Sequence, residues 1–157
     1  MEQHFLTNPD KLRLLVRAAS VTPETRVIEL GAGGGTVAAA LPPCTLTLVE
    51  LDERLAIGLK KMFLDADVLN KDALDVLEQC EFDVLLSNLP YALTAGVIER
   101  LHHKVFQRAL VAVHEDTKLE HSDTLMLEPF LTLNETDFSP AQPFKSKVIL
   151  ITPKLDL

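Results

Sequence analysis

Asn88-Leu89-Pro90-Tyr91 is a tetrapeptide in which every residue type can serve one reaction. The side-chain oxygen of an asparagine and the backbone carbonyl near a proline can each accept a hydrogen from an exocyclic amine. An amine whose lone pair is delocalised into an aromatic ring is a poor nucleophile until two such acceptors draw it toward tetrahedral geometry and aim the lone pair. Pro90 presets the backbone that carries the second acceptor. Tyr91 offers a flat face on which an extruded base can stack, a contact worth about 1–3 kcal/mol. The N6 amine of adenine, aimed at a methyl sulfonium, fits this set. No strong base is needed, because the methylated amine is acidic and loses its proton to water, so catalysis is expected to rest on position and dipoles. The bland alternative is that these four residues are a turn after a buried strand.

A second constellation lies upstream. Gly31, Gly33 and Gly35 form G-x-G-x-G in the run from Gly31 to Gly35. Glycines there allow tight φ angles and the close approach of a ligand. No Gly-Lys-Ser/Thr follows, so a P-loop is excluded. A dinucleotide fold would place its third glycine at position 36, where this chain has Thr36. Glu50 stands at the end of the next strand, where a carboxylate can accept from both ribose hydroxyls of an adenosine. Adenosine is implied and phosphate is not required. Asp72, past a third short strand, can accept from the adenine amine of the same ligand, or serve as the N-cap of the following helix, or both. The glycine run as a structural turn and Glu50 as a solvated strand-end acid are the corresponding plain readings.

The elements that must position these groups alternate. Leu12, Leu15, Val16 and Ala19 repeat at helical spacing over 9–19, with Asn8 as N-cap and Pro9 at the first helical position. Strands are expected at 26–30, 45–49, 67–69, 82–87 and 109–113, and helices at 36–41, 53–63, 72–77 and 95–102. A short helix is expected over His114–Ser122. Residues 124–133 and 145–152 are two β-rich stretches with no long helix between them. Strands alternating with helices imply a parallel sheet covered on both faces, here closed at one edge by an antiparallel pair. No repeat, low-complexity tract or linker interrupts residues 1–157, so one α/β domain is expected.

Composition narrows the class. Of 157 residues, 47% are hydrophobic and 24% charged, the balance of a folded domain and not of a disordered one. Met1-Glu2-Gln3-His4 is not a basic signal start and no apolar run is long enough to span a bilayer, so a cytoplasmic protein with no membrane partner is expected. Cys44 and Cys80 stand singly and are read as small buried side chains. His102, His103, His114 and His121 lack supporting acids at ligand spacing, so no metal site is expected. The net charge of −8 opposes unaided binding of nucleic acid. Two local clusters soften it, Lys11, Arg13 and Arg17, and Arg100, His102, His103, Lys104 and Arg108, although each by itself reads as a solvated face.

With these residues in place, the chain resembles the rRNA adenine N6,N6-dimethyltransferase family of the KsgA and Erm type. Gln3-His4-Phe5-Leu6 resembles the family's opening motif, and Glu29 to Gly35 its E-x-G-x-G-x-G. Val49-Glu50-Leu51-Asp52 and Asp72-Ala73-Leu74 resemble the next two cofactor motifs. Asn88-Leu89-Pro90-Tyr91 matches the catalytic motif in full, and Phe138-Ser139-Pro140 with Phe144 and Ser146 resembles F-x-P-x-P-x-V-x-S. The resemblance implies a Rossmann-like class I S-adenosylmethionine-dependent methyltransferase with a mostly parallel seven-stranded sheet and an antiparallel C-terminal strand pair. It implies that S-adenosylmethionine is bound by Gln3, His4, Leu6, Gly31, Gly33, Gly35, Glu50, Leu51, Asp72, Ala73 and Asn88. It also implies that Tyr91 and Phe138 sandwich the target base, and that RNA, rRNA or a ribosomal particle, is the partner.

This chain departs from the family in several ways. Lys71 replaces the usual glycine before Asp72, the helix after the fifth strand is shortened, no basic tail precedes the opening motif, and the family's helical C-terminal domain does not follow. These departures point to a partner protein in place of that domain, to a preassembled ribosomal particle as substrate, or to a different amine altogether. The negative charge and the departures keep two other readings open: an N-methyltransferase of a small-molecule or phospholipid amine, and a non-catalytic module that binds the cofactor or RNA during assembly.

Overall fold

The structure, a computed structural model, describes residues 3–155; Met1 and Glu2, read above as part of a non-signal start, lie outside the described residues, as do Asp156 and Leu157. Asn8 opens the first helix, α1 (Pro9–Ala19), by accepting from the Asp10 and Lys11 N–H groups, and Ser20 closes it in a left-handed conformation. These side-chain bonds satisfy amides that the helix itself leaves orphaned.

Five parallel strands follow: β2 (Arg26–Leu30), β3 (Thr45–Val49), β4 (Asp67–Leu69), β5 (Val84–Ser87) and β6 (Arg108–His114). Between them run α2 (Thr36–Ala40), α3 (Glu53–Met62), α4 (Ala73–Gln79) and α5 (Thr94–Leu101). The last two strands, β7 (Leu125–Leu133) and β9 (Ser146–Pro153), are antiparallel, and β9 lies between β6 and β7 in the order β4-β3-β2-β5-β6-β9-β7. Strand order therefore reverses between β2 and β5, which opens a crevice above their carboxyl ends.

Both faces of the sheet are apolar because helices cover both. Ile28, Leu30, Leu85 and Val111 pack with Val76, Leu77, Val97 and Leu101 of α4 and α5 on one side. On the other, Val27, Val84, Leu86 and Leu110 pack with Leu15 and Ala19 of α1. Each such fully buried aliphatic chain contributes about 1.5–3 kcal/mol before entropy is counted. Cys44 and Cys80 are free and only half-buried, packed against the edges of these two clusters. Pro129, which cannot donate to a ladder, sits on the edge strand β7 where the register shifts between Pro129 and Leu131.

Two differences from the sequence reading matter for the site. The segment expected as a helix over His114–Ser122 is not helical. His114 is still in β6, the Thr117 N–H closes a turn onto the His114 carbonyl at 3.0 Å, and Lys147 Nζ holds the Thr117 carbonyl at 2.7 Å. These ties, together with a run of polar residues that has no apolar face to bury, outweigh local helix propensity. The second difference is a small extra sheet, in which β1 (Phe5–Leu6) pairs antiparallel with β8 (Phe138–Ser139), Leu6 opposite Phe138. Among the described residues no helix is long and apolar enough to cross a membrane.

Candidate active site

The crevice between β2 and β5 brings the two constellations of the sequence together. Asn88 follows β5 directly, and its N–H donates to the Leu30 carbonyl at 3.1 Å, so Asn88-Leu89-Pro90 lies along the end of β2. Tyr91–Leu93 then form one turn of 3-10 helix that leads into α5. The Pro90 carbonyl accepts from the Leu93 N–H at 2.9 Å. The acceptor near Pro90 that remains available is therefore the carbonyl of Leu89. Gly31, at φ +72, has its missing Cβ position 2.9 Å from the Asn88 carbonyl oxygen and 3.1 Å from Leu89 Cδ2. A side chain there would push the two motifs apart, so this glycine is required by the catalytic turn itself as well as by its own left-handed backbone.

Glu50 is 7% exposed at the tip of β3. Its two oxygens accept from the Gly33 N–H at 2.8 Å and the Asp52 N–H at 2.9 Å. A carboxylate has about four acceptor sites, so two remain after these bonds. Phe5 lies over the glycine turn, since a Cβ on Gly33 would stand 2.8 Å from its ring. Leu51, beside Glu50, is 70% exposed. Asn70 Nδ2 holds the carbonyls of both Glu50 and Leu51 at 2.9 Å. Asp72 caps α4, with Oδ1 accepting from the Leu74 and Asp75 N–H groups at 3.0 and 3.1 Å, so its N-cap role is realised and its other oxygen stays available. Ala73 is buried at the start of α4, and the departing residue Lys71 is exposed.

The opening motif and the late Phe-Ser-Pro motif meet through β1 and β8. His4 Nδ1 bonds the Pro140 carbonyl at 2.9 Å across 136 positions of sequence, Leu6 is buried, and Gln3 is exposed. This pairing corrects one expectation. Phe138 is 3% exposed and packs in the core with Leu6, Leu86 and Leu133, so as folded it does not face Tyr91 as the other half of a sandwich. The rings against Tyr91 are those of Phe144, with centroids 5.6 Å apart at 64°, and His114, at 6.4 Å and 75°. Its hydroxyl donates to Gln142 Oε1 at 3.4 Å.

The two basic clusters are largely engaged in holding the fold. Lys11 reaches the Thr132 carbonyl and Asp137, and Arg13 pairs with Asp10. Arg100 pairs with Glu78, Lys104 holds the Glu78 and Cys80 carbonyls, and Arg108 holds the Ala18 carbonyl. Sequence reasoning placed Phe5 and Glu29 only within their motifs, without a role of their own, and it missed Asn70 and His114 as members of the site. The Glu29 carboxyl is 3% exposed. Burial first, and then the negative charge of Glu50, push it up to about 8.

A parallel sheet with its switch point between β2 and β5, a glycine turn after β2, an acid at the tip of β3 and an antiparallel final pair define the Rossmann-like class I methyltransferase fold. Two solved structures share it: a dimethyladenosine transferase from Plasmodium falciparum, 22% identical at a TM-score of 0.84 over 96% of this chain and 63% of that one, and the 23S rRNA methyltransferase ErmE, 18% identical at 0.84 over 97% and 70%. The Ribosomal RNA adenine dimethylase family matches residues 1–153, and the chain belongs to that family. A Ribosomal RNA small subunit methyltransferase A from Corynebacterium efficiens is 34% identical over 81% of this chain and 48% of its own length. The chain spans about half the length of the curated relatives it matches.

S-adenosylmethionine is the cofactor that this fold and family imply, and the residues present fit it. The buried Glu50 carboxylate keeps acceptor sites for vicinal hydroxyls, exposed Leu51 supplies an apolar wall, and Asp72 keeps one oxygen beyond its cap.

Proposed function

We propose that this chain is a catalytic domain that methylates the N6 amine of adenine in ribosomal RNA. The observation that carries the reading is the contact of Gly31 with Asn88: the turn that holds two amine acceptors is packed, without room for a Cβ, against the first glycine of the cofactor turn. When bound, S-adenosylmethionine supplies an electrophilic methyl group on a sulfonium. Glu50, Leu51 and Asp72 would hold its adenosine, with Phe5 keeping the glycine turn in shape beneath it.

Asn88 Oδ1 and the Leu89 carbonyl accept the two amine hydrogens, which frees the nitrogen lone pair for the new N–C bond. The methylated amine then releases its proton to water, so no side chain has to act as a strong base. Tyr91 stacks on the base, and Phe144 and His114 hold its ring. Lys118 and Lys145 are exposed on the segments beside this aromatic group, and their charge suits the flanking phosphates. An RNA particle or a partner protein supplies the rest of the docking surface, in keeping with the net charge of −8.

The test is transfer of labelled methyl groups to free rRNA, isolated ribosomal subunits and a panel of small amines. Label is expected in the RNA fractions, with Asn88→Ala lowering turnover by about a hundredfold or more. Labelling confined to the amines, or an Asn88→Ala variant as active as the parent, would overturn the reading.

A further inference from the structure

The last rung that β3 and β4 share pairs Val49 with Leu69, and the Glu50 N–H still reaches the Leu69 carbonyl at 3.0 Å. Beyond it the two chains part, one turning into α3 and the other into α4. Strands that part leave backbone carbonyls in need of new donors. The Glu50 and Leu51 carbonyls both find theirs in Asn70, just past β4, whose Nδ2 donates to each at 2.9 Å. An amide nitrogen carries two hydrogens, so these bonds use its whole donor capacity and fix which way the amide is turned. A side chain thus adds one more rung across the end of the sheet.

What this rung holds is the turn that carries the ribose acid. The Glu50 side chain is pinned at both oxygens, by the Gly33 N–H at 2.8 Å and the Asp52 N–H at 2.9 Å. Where its remaining acceptor sites point is therefore set by the backbone of residues 50–52. The far end of that turn is anchored, because Asp52 caps α3 and accepts from the Leu55 N–H at 3.1 Å. Its middle has no comparable anchor of its own. Leu51 is exposed, so its side chain packs against little that could fix the turn. Hydrogen bonds weaken steeply as their angle opens, so a small drift of this backbone spoils the bonds that a carboxylate makes to two vicinal hydroxyls.

We propose that Asn70 is a positioning residue for the cofactor, which holds the Glu50–Leu51 backbone so that the Glu50 carboxylate meets both ribose hydroxyls. The proposal rests on the assignment of Glu50 to the adenosine, and not on the identity of the methylated amine.

The experiment is calorimetry with S-adenosylhomocysteine, the product of methyl transfer, and with its 2′,3′-dideoxy analogue, which offers Glu50 no hydroxyls. It compares the parent with Asn70→Ala, Asn70→Asp, Glu50→Gln and the double variant Asn70→Ala/Glu50→Gln. Asn70→Ala is expected to weaken binding of the product by about fivefold to tenfold, the scale of two ordinary hydrogen bonds acting at one remove. Asn70→Asp keeps the shape, has no donor and sets a carboxylate against two carbonyl oxygens, so it should lose at least as much. A merely structural role would weaken both ligands alike, whereas a role exerted through Glu50 leaves the dideoxy analogue within about twofold of its parent affinity and makes the two substitutions strongly non-additive. Equal losses for the two ligands, additive losses in the double variant, or an Asn70→Asp protein with the parent's affinity overturns the proposal. A parent that binds no S-adenosylhomocysteine overturns it together with the assignment of Glu50. The measurement needs no RNA, so the expected pattern in a protein that methylates no RNA upholds Asn70 and refutes the substrate reading.

Discussion

Gly31 shows how one missing Cβ joins two motifs. Its left-handed φ of +72 costs any other L-residue about 1–2 kcal/mol, and a Cβ would also stand 2.9 Å from the backbone oxygen of Asn88, which cannot rotate away. Gly31→Ala is therefore expected to lose at least 2 kcal/mol of stability by urea denaturation, with a larger proportional loss of methyl transfer than of cofactor binding. Glu29 makes a prediction of a different kind. Its folded value of about 8 exceeds the ordinary 4.5, so the native protein holds a proton that the unfolded chain releases. The stability this proton lends is complete below pH 4.5 and is lost as pH rises through about 8. At about 1.4 kcal/mol per pH unit, the loss reaches on the order of 3 kcal/mol by neutral pH. Urea midpoints measured across this range should fall for the parent and fall far less for Glu29→Gln, and equal slopes would show that Glu29 ionises freely in the folded protein.

At the scale of elements, the β1–β8 pair is the clamp over the site, and Asp137 is its fastening. The Asp137 carboxylate accepts from Asn8 Nδ2 and from the Asn134 N–H, both at 2.7 Å, with Lys11 Nζ at 3.7 Å. Its carbonyl accepts from the Thr7 and Asn8 N–H groups at 2.9 and 3.1 Å. Asp137→Ala keeps the carbonyl but leaves the Asn8 side-chain amide, the Asn134 N–H and Lys11 without their buried acceptor, and is expected to cost about 3 kcal/mol. Hydrogen exchange at the β1 amides should accelerate in step. Phe5→Ala leaves β1 in place but uncovers Gly33, and calorimetry should show cofactor affinity about tenfold weaker. An unchanged affinity would mean that the glycine turn holds its shape without the ring. The cap of α4 by Asp72 and that of α1 by Asn8 were legible in the sequence, because a cap is a local bond over three residues. The clamp was not, because strands of two residues have no periodicity to detect.

For the whole molecule, the net charge of −8 opposes RNA binding, and Arg26, Arg100 and Arg108 are engaged in holding the fold. Lys118 and Lys145 are exposed, Lys145 next in the chain to Phe144 and Lys118 four residues after His114. Their joint replacement by alanine is expected to flatten the dependence of log K on log salt by about 1.4 for a single-stranded target, at about 0.7 per phosphate contact. Filter binding of rRNA across salt concentrations would show it, and an unchanged slope would move the docking surface elsewhere. The sequence by itself determined the alternation of strands and helices, the parallel sheet with its antiparallel final pair, and the two motifs at the strand ends, since all of these are written in local patterns and short spacings. Tertiary structure alone decided that Gly31 touches Asn88, that Phe138 is core while Phe144 and His114 flank Tyr91, that residues 114–122 form no helix, and that Glu29 shares a chamber with Asn88. Each of these depends on which distant residue fills a given volume. Chain spacing does not encode that, and the sheet's order and register do.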